Sequence, residues 1–316
     1  MCRPIRTIAL LMSFIACLSS EAMAQPYQRT SGITGTIISV GSDTMSNLVS
    51  VWAEEFEFIY PQANFQIQAA GSATAPPAMV QGTANIGPMS RELKSSERQA
   101  FIEQYGYEPI MVPVALDAII LFVDLDNPVN SLSQREIDAI FSITRFCGGN
   151  RSLESWSQVS AAQQYPYRIR MFGRSAVSGT YGLFKRNVLC DGDFKPGVAE
   201  LPSSSSIVQS VAFFNGAIGY AAWGFQNAGV KLLSIAHDPA QAPVVPSEEN
   251  IRNEQYPYSR TLYLMLNKKP GLSLENPILE FVRFIFSQQG SSLTRREGYV
   301  PLSQRQRLAV IASLED

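Results

Sequence analysis

Hydrophobic and polar residues follow two different periods along the chain, and segments of the two kinds succeed one another. Residues 37–40 form a short apolar run that ends at Gly41, and residues 65–69 alternate as a half-buried strand does. Between them, residues 45–60 carry apolar side chains at helical spacing, and Pro61 ends that pattern. The order strand, helix, strand predicts an α/β architecture with largely parallel sheets.

The alternation continues through the rest of the chain. Residues 110–123 are nearly continuously apolar, with interruptions at Pro113 and Asp117, which predicts two buried strands joined by a crossing near residues 114–117. The pattern predicts further strands over residues 168–172, 218–222, 231–235 and 261–266. It also predicts helices over residues 96–105, 180–188, 207–214 and 277–289, the last closed by Gly290.

The first residues have the pattern of a targeting segment. Two arginines precede an apolar run over residues 8–18, and small residues follow at positions 22 and 24. This predicts a signal peptide over residues 1–24, cleavage before Gln25 and a periplasmic product. The apolar run is too short to span a bilayer. A lipid anchor at Cys17 is the alternative, because the residues before it partly fit a lipobox.

Composition narrows the possible functions. The 316 residues suggest about two domains, and 46% hydrophobic with 16% charged residues is typical of a chain with a packed core. The net charge of −2 and the lack of a basic block argue against nucleic-acid binding. His237 is the single histidine in the sequence, which excludes histidine-rich metal sites and leaves one possible base for a serine triad.

Four cysteines are present, and two of them lie in the predicted targeting segment. Cys147 and Cys190 remain in the exported chain. A pair of cysteines in an oxidising compartment predicts a disulfide, with two buried free thiols as the alternative.

Candidate chemistry lies where strands give way to helices. Gly41-Ser42-Asp43-Thr44 follows the first predicted strand, Gly71-Ser72-Ala73-Thr74 follows the second, and a third short strand ends at Ser90. Free N–H groups at a helix start attract anions, helped by the helix dipole. Each segment alone is equally compatible with an ordinary cap or turn.

A fourth segment, Arg174 followed by Ser178-Gly179-Thr180, is more specific. Gly179 lets a backbone N–H approach an anion closely, and two hydroxyl groups flank it. Arg174 adds a planar guanidinium suited to oxyanions. Together the four segments predict a site for an oxyanion.

In their order and spacing these segments resemble the PstS family of phosphate-binding proteins, and the similarity extends from about Ile37 to Ser303. The resemblance implies a two-lobed, type II periplasmic-binding-protein fold with two crossing hinge strands, the second near residues 220–224. The lobes would comprise residues 25–115 with 224–316, and residues 116–223.

The same resemblance implies a function. The protein would be a monomer without a cofactor or a metal, would capture inorganic phosphate between the lobes and would deliver it to the permease of an ABC transporter. By motif position, the residues around the phosphate would be Asp43, Thr44, Ser72, Ser90, Arg174, Ser178, Gly179 and Thr180.

One departure from the family changes the expected chemistry. Several members carry an aspartate where this chain has Ser90, and that acid accepts the proton of monohydrogen phosphate. Asp43 is the acid in the matched set here. We therefore expect Asp43 to take that role.

Two other classes of function stay open at this stage. A phosphate-ester hydrolase needs a base beside its nucleophile, and His237 lies in no recognisable motif. A sensor or adhesin without a transport role could use the same fold, because a fold does not determine a function.

Overall fold

The computed structural model describes residues 27–315, so the predicted signal peptide and the alternative anchor at Cys17 lie outside the described residues. The strands of this range are β1 (Gly35–Val40), β2 (Ala63–Gln68), β3 (Ile86–Met89), β4 (Ile110–Val123), β5 (Ser131–Ser133), β6 (Arg170–Arg174), β7 (Ala199–Leu201), β8 (Ala217–Ala222), β9 (Lys231–Leu232), β10 (Ser234–Ala236), β11 (Ser259–Leu266) and β12 (Val300–Pro301).

The helices are α1 (Ser46–Ile59), α2 (Ala75–Val80), α3 (Ser95–Tyr105), α4 (Gln134–Phe141), α5 (Gly179–Leu183), α6 (Ser204–Phe213), α7 (Glu248–Arg252), α8 (Asn276–Phe286), α9 (Gln288–Arg296) and α10 (Gln304–Glu315). Among the helices of residues 27–315, none has both the length and the apolar character needed to cross a bilayer.

The strands form two parallel arrays that share one long strand. In the order β2-β1-β3-β11-β4-β8-β6-β7, β1 runs parallel to β2 and β3, and β6 runs parallel to β7 and β8. The first part of β4 pairs with β11 and its last five residues pair with β8. The α/β class is therefore confirmed, and we propose that β4, which pairs with both arrays, contains the first crossing predicted near residues 114–117.

Each array has its own hydrophobic core. Trp52 on α1 lies in the first core and Trp156 lies in the second, and both side chains are fully buried. Each indole N–H donates to a backbone carbonyl, at 3.3 Å to Gly290 and at 2.9 Å to Gly216. Because each array packs its own hydrophobic side chains, the molecule has two lobes.

The predicted second crossing near residues 220–224 does not agree with the packing. After the fully buried strand β8, the chain stays with the second lobe: β10 pairs with β5, and Ile251 on α7 belongs to the second core. An apolar run such as that of β8 suits a central strand and a crossing strand equally, and only its partners distinguish them. We therefore propose that the chain returns to the first lobe at Ser259, where β11 begins, and that residues 224–258 belong to the second lobe.

Candidate functional site

Three turns of the first lobe meet at one edge of its sheet, because the carboxyl ends of parallel strands lie together there. The amide of Ser42 donates to the carbonyl of Pro88 at 2.8 Å, and the amide of Gly71 donates to that of Gly41, also at 2.8 Å. Gly41 has no substitute in this arrangement, since a Cβ would lie 2.2 Å from the Pro88 carbonyl oxygen. These bonds hold the segments of Asp43, Ser72 and Ser90 side by side.

The second lobe supplies the fourth segment at the end of β6. Ser178 caps α5, and its Oγ accepts a hydrogen bond from the amide of Thr180 at 3.1 Å. The short loop between Arg174 and Ser178 places the first turn of α5 against the first lobe. The alternative of an isolated cap on the surface does not apply, because Ser178 and Thr180 are both buried.

The predicted residues of the two lobes are in contact. The hydroxyl groups of Thr44 and Thr180 lie 2.9 Å apart, and the amide of Ala73 donates to the carbonyl of Val177 at 3.2 Å. Gly179 packs against Ser72 and Ser90 so closely that a Cβ there would lie 2.6 Å and 2.3 Å from their hydroxyl oxygens. Contacts of this kind join all eight predicted residues into one cluster.

Arg174 and Asp43 form an ion pair across the lobes. The Arg174 side chain is only 1% exposed, and its Nη1 lies 2.9 Å from Oδ2 of Asp43 and 3.0 Å from Oγ of Ser204. Burial raises the pKa of the Asp43 carboxyl, although the charge of Arg174 and the backbone N–H of Ser204 act to lower it. Burial also lowers the pKa of Arg174. The attraction between the two groups offsets part of the cost of their desolvation.

Two serine hydroxyl groups face each other on the first lobe. Oγ of Ser72 lies 3.1 Å from Oγ of Ser90 and also accepts the backbone N–H of Ser90 at 3.0 Å. Both side chains are completely buried. A hydroxyl group that accepts one hydrogen bond keeps its own proton for donation, so Ser72 can serve as a donor to an anion.

Sequence reasoning missed two charged residues on the crossing strands. Arg260 on β11 places Nε and Nη2 at 2.8 Å and 2.6 Å from Oδ2 of Asp117 on β4, and its Nη1 donates to Oγ1 of Thr180 at 3.0 Å. Asp117 was visible as an interruption of an apolar run. Its partner could not be identified, because the two residues are 143 positions apart.

Two polar residues next to the cluster were also missed. Ser204, which contacts Arg174, stands in a serine run that by itself predicts only a loop and a helix cap. Tyr299, whose hydroxyl donates to the carbonyl of Thr44 at 2.5 Å, lies near the C-terminus with no local signal of its own.

Two further residues could contribute to a site, namely Arg91, which follows Ser90 in the chain, and the single histidine of the sequence, His237. Arg91 is buried and binds both carboxylate oxygens of Glu97, at 2.8 Å and 2.7 Å, so its guanidinium is engaged within the first lobe. His237 is exposed on the second lobe. Over residues 27–315, no group of three or more His, Cys, Asp or Glu side chains is placed to hold a metal ion.

The two remaining cysteines form the predicted disulfide. Cys147 follows α4 and Cys190 follows a π-helical turn, Phe184–Val188, that continues α5. Beside the disulfide, the side-chain Nε2 of Gln134 donates to the backbone carbonyl of Asn187 at 2.8 Å. The disulfide thus ties the far end of the segment that begins with Ser178 to the body of the second lobe.

Comparison with known proteins agrees with this architecture. A family model described as a PBP superfamily domain matches residues 28–289. The phosphate-binding protein PstS of Pseudomonas aeruginosa is 43% identical over 305 residues, which cover 95% of this chain and 94% of that protein. The chain belongs to the PstS family.

Solved structures show the same fold as this PstS-family chain. An ABC-type phosphate transport receptor of Vibrio cholerae superposes with a TM-score of 0.65 at 22% identity, covering 84% of this chain and 100% of that one. A high-affinity periplasmic phosphate-binding protein, PfluDING, solved with bound phosphate, gives a TM-score of 0.69 at 16% identity over 88% and 94% of the two chains. The predicted two-lobed, type II binding-protein fold is confirmed.

Proposed function

We propose that this PstS-family chain binds inorganic phosphate between its two lobes and delivers it to the permease of an ABC transporter. The observation that carries the proposal is the ion pair between Asp43 of the first lobe and Arg174 of the second, surrounded by hydroxyl and N–H donors from both. The relative from P. aeruginosa supports it, because that protein is named for phosphate binding.

The cluster has the donors that a buried oxyanion needs. Each oxygen of a desolvated anion requires hydrogen bonds, since an unpaired polar group away from water costs free energy. Thr44 and Ser72 of the first lobe and Ser178 and Thr180 of the second supply hydroxyl groups, while Arg174 supplies the positive charge. The proposed ligand set is Asp43, Thr44, Ser72, Ser90, Arg174, Ser178, Gly179 and Thr180.

Asp43 is proposed to select the ligand. A carboxylate repels a fully ionised oxyanion such as sulfate, whereas monohydrogen phosphate brings a proton that the carboxylate can accept in a strong, charge-assisted hydrogen bond. Arg174 holds the Asp43 carboxylate in place at 2.9 Å. Ser90, which occupies the position of the acid in several family members, would then contribute a neutral hydroxyl group.

Binding is proposed to close the lobes. β4 and β11 connect them, so a hinge motion of these strands would bring the turn at Thr44 onto the first turn of α5. The closed form would present a surface of both lobes to the permease. With the signal peptide predicted over residues 1–24, we propose that the protein acts as a monomer in the periplasm.

A hydrolase and a sensor or adhesin are the competing functions, and the residues around the cluster argue against the hydrolase. A serine or threonine nucleophile needs an adjacent base. Around the hydroxyl groups of the cluster, the charged neighbours in the described part of the chain are Asp43, Arg174 and Arg260. His237, the base considered above, is exposed on the second lobe.

Calorimetric titration of the purified protein, freed of bound anions by unfolding and refolding, tests the proposal. We expect one phosphate per chain and binding of sulfate weaker by about a hundredfold or more. Arg174→Lys should weaken phosphate binding strongly, because lysine cannot reproduce the contacts of the guanidinium with Asp43, Ser204 and the carbonyl of Pro202. Arg98→Lys, an exposed arginine of the first lobe paired with Glu108, is the matched control.

The outcomes separate the functions. Folded protein that binds neither anion would contradict the proposal and favour the sensor or adhesin. Release of phosphate from a chromogenic ester would favour the hydrolase. Equal affinity for sulfate and phosphate would show that Asp43 does not select the ligand, whereas Asp43→Asn should narrow the preference for phosphate if it does.

A further inference from the structure

A second buried guanidinium lies at the junction of the two lobes. Arg260 and Asp117 are directly opposite each other on the antiparallel strands β11 and β4, and their side chains are 5% and 0% exposed. Arg260 uses Nε and Nη2 for one carboxylate oxygen of Asp117. The other carboxylate oxygen accepts the backbone N–H of Trp223, which follows β8, at 3.0 Å. Asp117 thereby holds Arg260 in a fixed orientation.

The remaining nitrogen of this guanidinium points at the ligand set. Nη1 of Arg260 donates to Oγ1 of Thr180 at 3.0 Å, and Oγ1 of Thr180 lies 2.9 Å from Oγ1 of Thr44. A guanidinium cannot accept a hydrogen bond, so the Thr180 oxygen must be the acceptor. The hydroxyl proton of Thr180 then has to be donated elsewhere, and Oγ1 of Thr44 is within its reach.

We propose that Arg260 is a positioning residue of the phosphate site: held by Asp117, it keeps the Thr180 hydroxyl group as a donor toward the interlobe site. This inference rests on the proposed function. Arg260 affects the site by fixing the direction in which the Thr180 hydroxyl group donates its hydrogen bond. It adds no net charge, because its own charge is balanced by Asp117. Since Asp117 and Arg260 both stand on the strands that connect the lobes, the contact with Thr180 also depends on how the second lobe is oriented.

A double-mutant cycle between Arg260 and Thr180 tests this role. Arg260→Lys keeps the positive charge but cannot bind Asp117 twice and reach Thr180 as well. We expect this variant to bind phosphate about tenfold more weakly, the usual scale of a hydrogen bond from a charged donor. In a Thr180→Val background, which removes the hydroxyl group at nearly constant volume, Arg260→Lys should have little further effect.

Asp117→Asn provides a second route if Arg260→Lys folds poorly. It keeps the volume at position 117 and loosens the hold on Arg260, so it should also weaken binding in the parent and much less in Thr180→Val. The exposed pair of Arg98 and Glu108 supplies the control, as Arg98→Lys should bind phosphate like the parent in both backgrounds. An equal loss of affinity in both backgrounds would overturn the proposal, because Arg260 would then act independently of Thr180.

The same double-mutant cycle, measured on the stability of the anion-free protein, tests the link between Arg260 and Thr180 without depending on phosphate binding. Urea unfolding should show that the effects of Arg260→Lys and Thr180→Val on stability are not additive. If the parent protein fails to bind phosphate, the proposed function is wrong, and non-additive stabilities would still support the link between the two residues. Additive stabilities would overturn the positioning role whatever the parent binds.

Discussion

Gly179 of the second lobe lies so close to Ser90 of the first that a Cβ at Gly179 would be 2.3 Å from the Ser90 hydroxyl oxygen. The same Cβ would lie 2.6 Å from Oγ and 3.1 Å from Cβ of Ser72. The two serine hydroxyl groups are hydrogen-bonded to each other. The backbone of Gly179, at the start of α5, therefore contacts the first lobe directly. The two lobes can approach this closely because residue 179 has no side chain.

Gly179→Ala should therefore impair closure of the lobes. The methyl group can be accommodated only if the serine hydroxyl groups rotate away, which breaks their contact, or if the lobes stay further apart. We expect phosphate affinity to fall by about tenfold or more, a loss of about 1.4 kcal/mol or more. Titration calorimetry and small-angle X-ray scattering with and without phosphate measure the two effects.

Gly182→Ala is the control for that variant. Gly182 belongs to the same helix, and a Cβ there meets nothing within 4 Å. Its phosphate affinity and its scattering change should match those of the parent protein. Equal affinities for the two variants would show that the contact of Gly179 with the serines is not needed for closure.

Gly41→Ala should destabilise the first lobe itself. The new Cβ would lie 2.2 Å from the backbone carbonyl oxygen of Pro88, and a backbone atom cannot move aside as a side chain can. We expect a loss of about 2 kcal/mol in the free energy of unfolding, measured in urea. Gly197→Ala, whose Cβ would have its nearest neighbour at an ordinary 3.6 Å, should unfold like the parent and provides the comparison.

Loss of the disulfide should destabilise the second lobe. Cys147 and Cys190 are 43 residues apart, and the loss of that loop constraint predicts a decrease of about 3 to 4 kcal/mol in the free energy of unfolding. The protein with Cys147→Ser and Cys190→Ser should therefore unfold at lower urea than the oxidised parent. Mass spectrometry of the exported parent should show two hydrogens fewer than the reduced chain. Full alkylation without a reductant would contradict the pairing.

Glu97 should make stability depend on pH in the acid range. Partial burial by itself would raise the pKa of Glu97, but hydrogen bonds from Arg91 and from the backbone of Lys94, with the charge of Arg91, lower it below the usual 4.5. A lowered carboxyl pKa contributes stability that is present above pH 4.5 and is lost as the pH falls through the pKa of the folded protein.

The free energy of unfolding of Glu97→Gln is therefore compared with that of the parent protein as a function of pH. The variant should be less stable near neutral pH, and its free energy of unfolding should change less between pH 5 and the onset of acid unfolding. Glu103→Gln, an exposed residue of the same helix, should leave the curve of the parent unchanged. Parallel curves for Glu97→Gln and the parent would contradict the assignment.

Local sequence patterns predicted the helices whose ends are set by neighbouring residues in the chain. The capping box of Ser133 and Glu136, within four adjacent residues of the sequence, begins α4, and α5 begins at Gly179, one residue before the predicted start, with Ser178 as its cap. At α3 the start was predicted within two residues, because Glu97 caps the backbone of Lys94 rather than that of a serine. At α8 the prediction failed: the helix ends at Phe286, and Ser287 caps a new helix that contains Gly290.

The sequence by itself determined the alternation of strands and helices, the turns that end in small polar residues, and the four segments that form the candidate site. These depend on period, capping and glycine geometry, which act over a few residues. Only the tertiary structure decided that β11 pairs with β3 and β4, and that Arg260 meets Asp117 and Thr180. Those contacts join residues far apart along the chain, so their free energy depends on which strands become neighbours, and no local pattern contains that information.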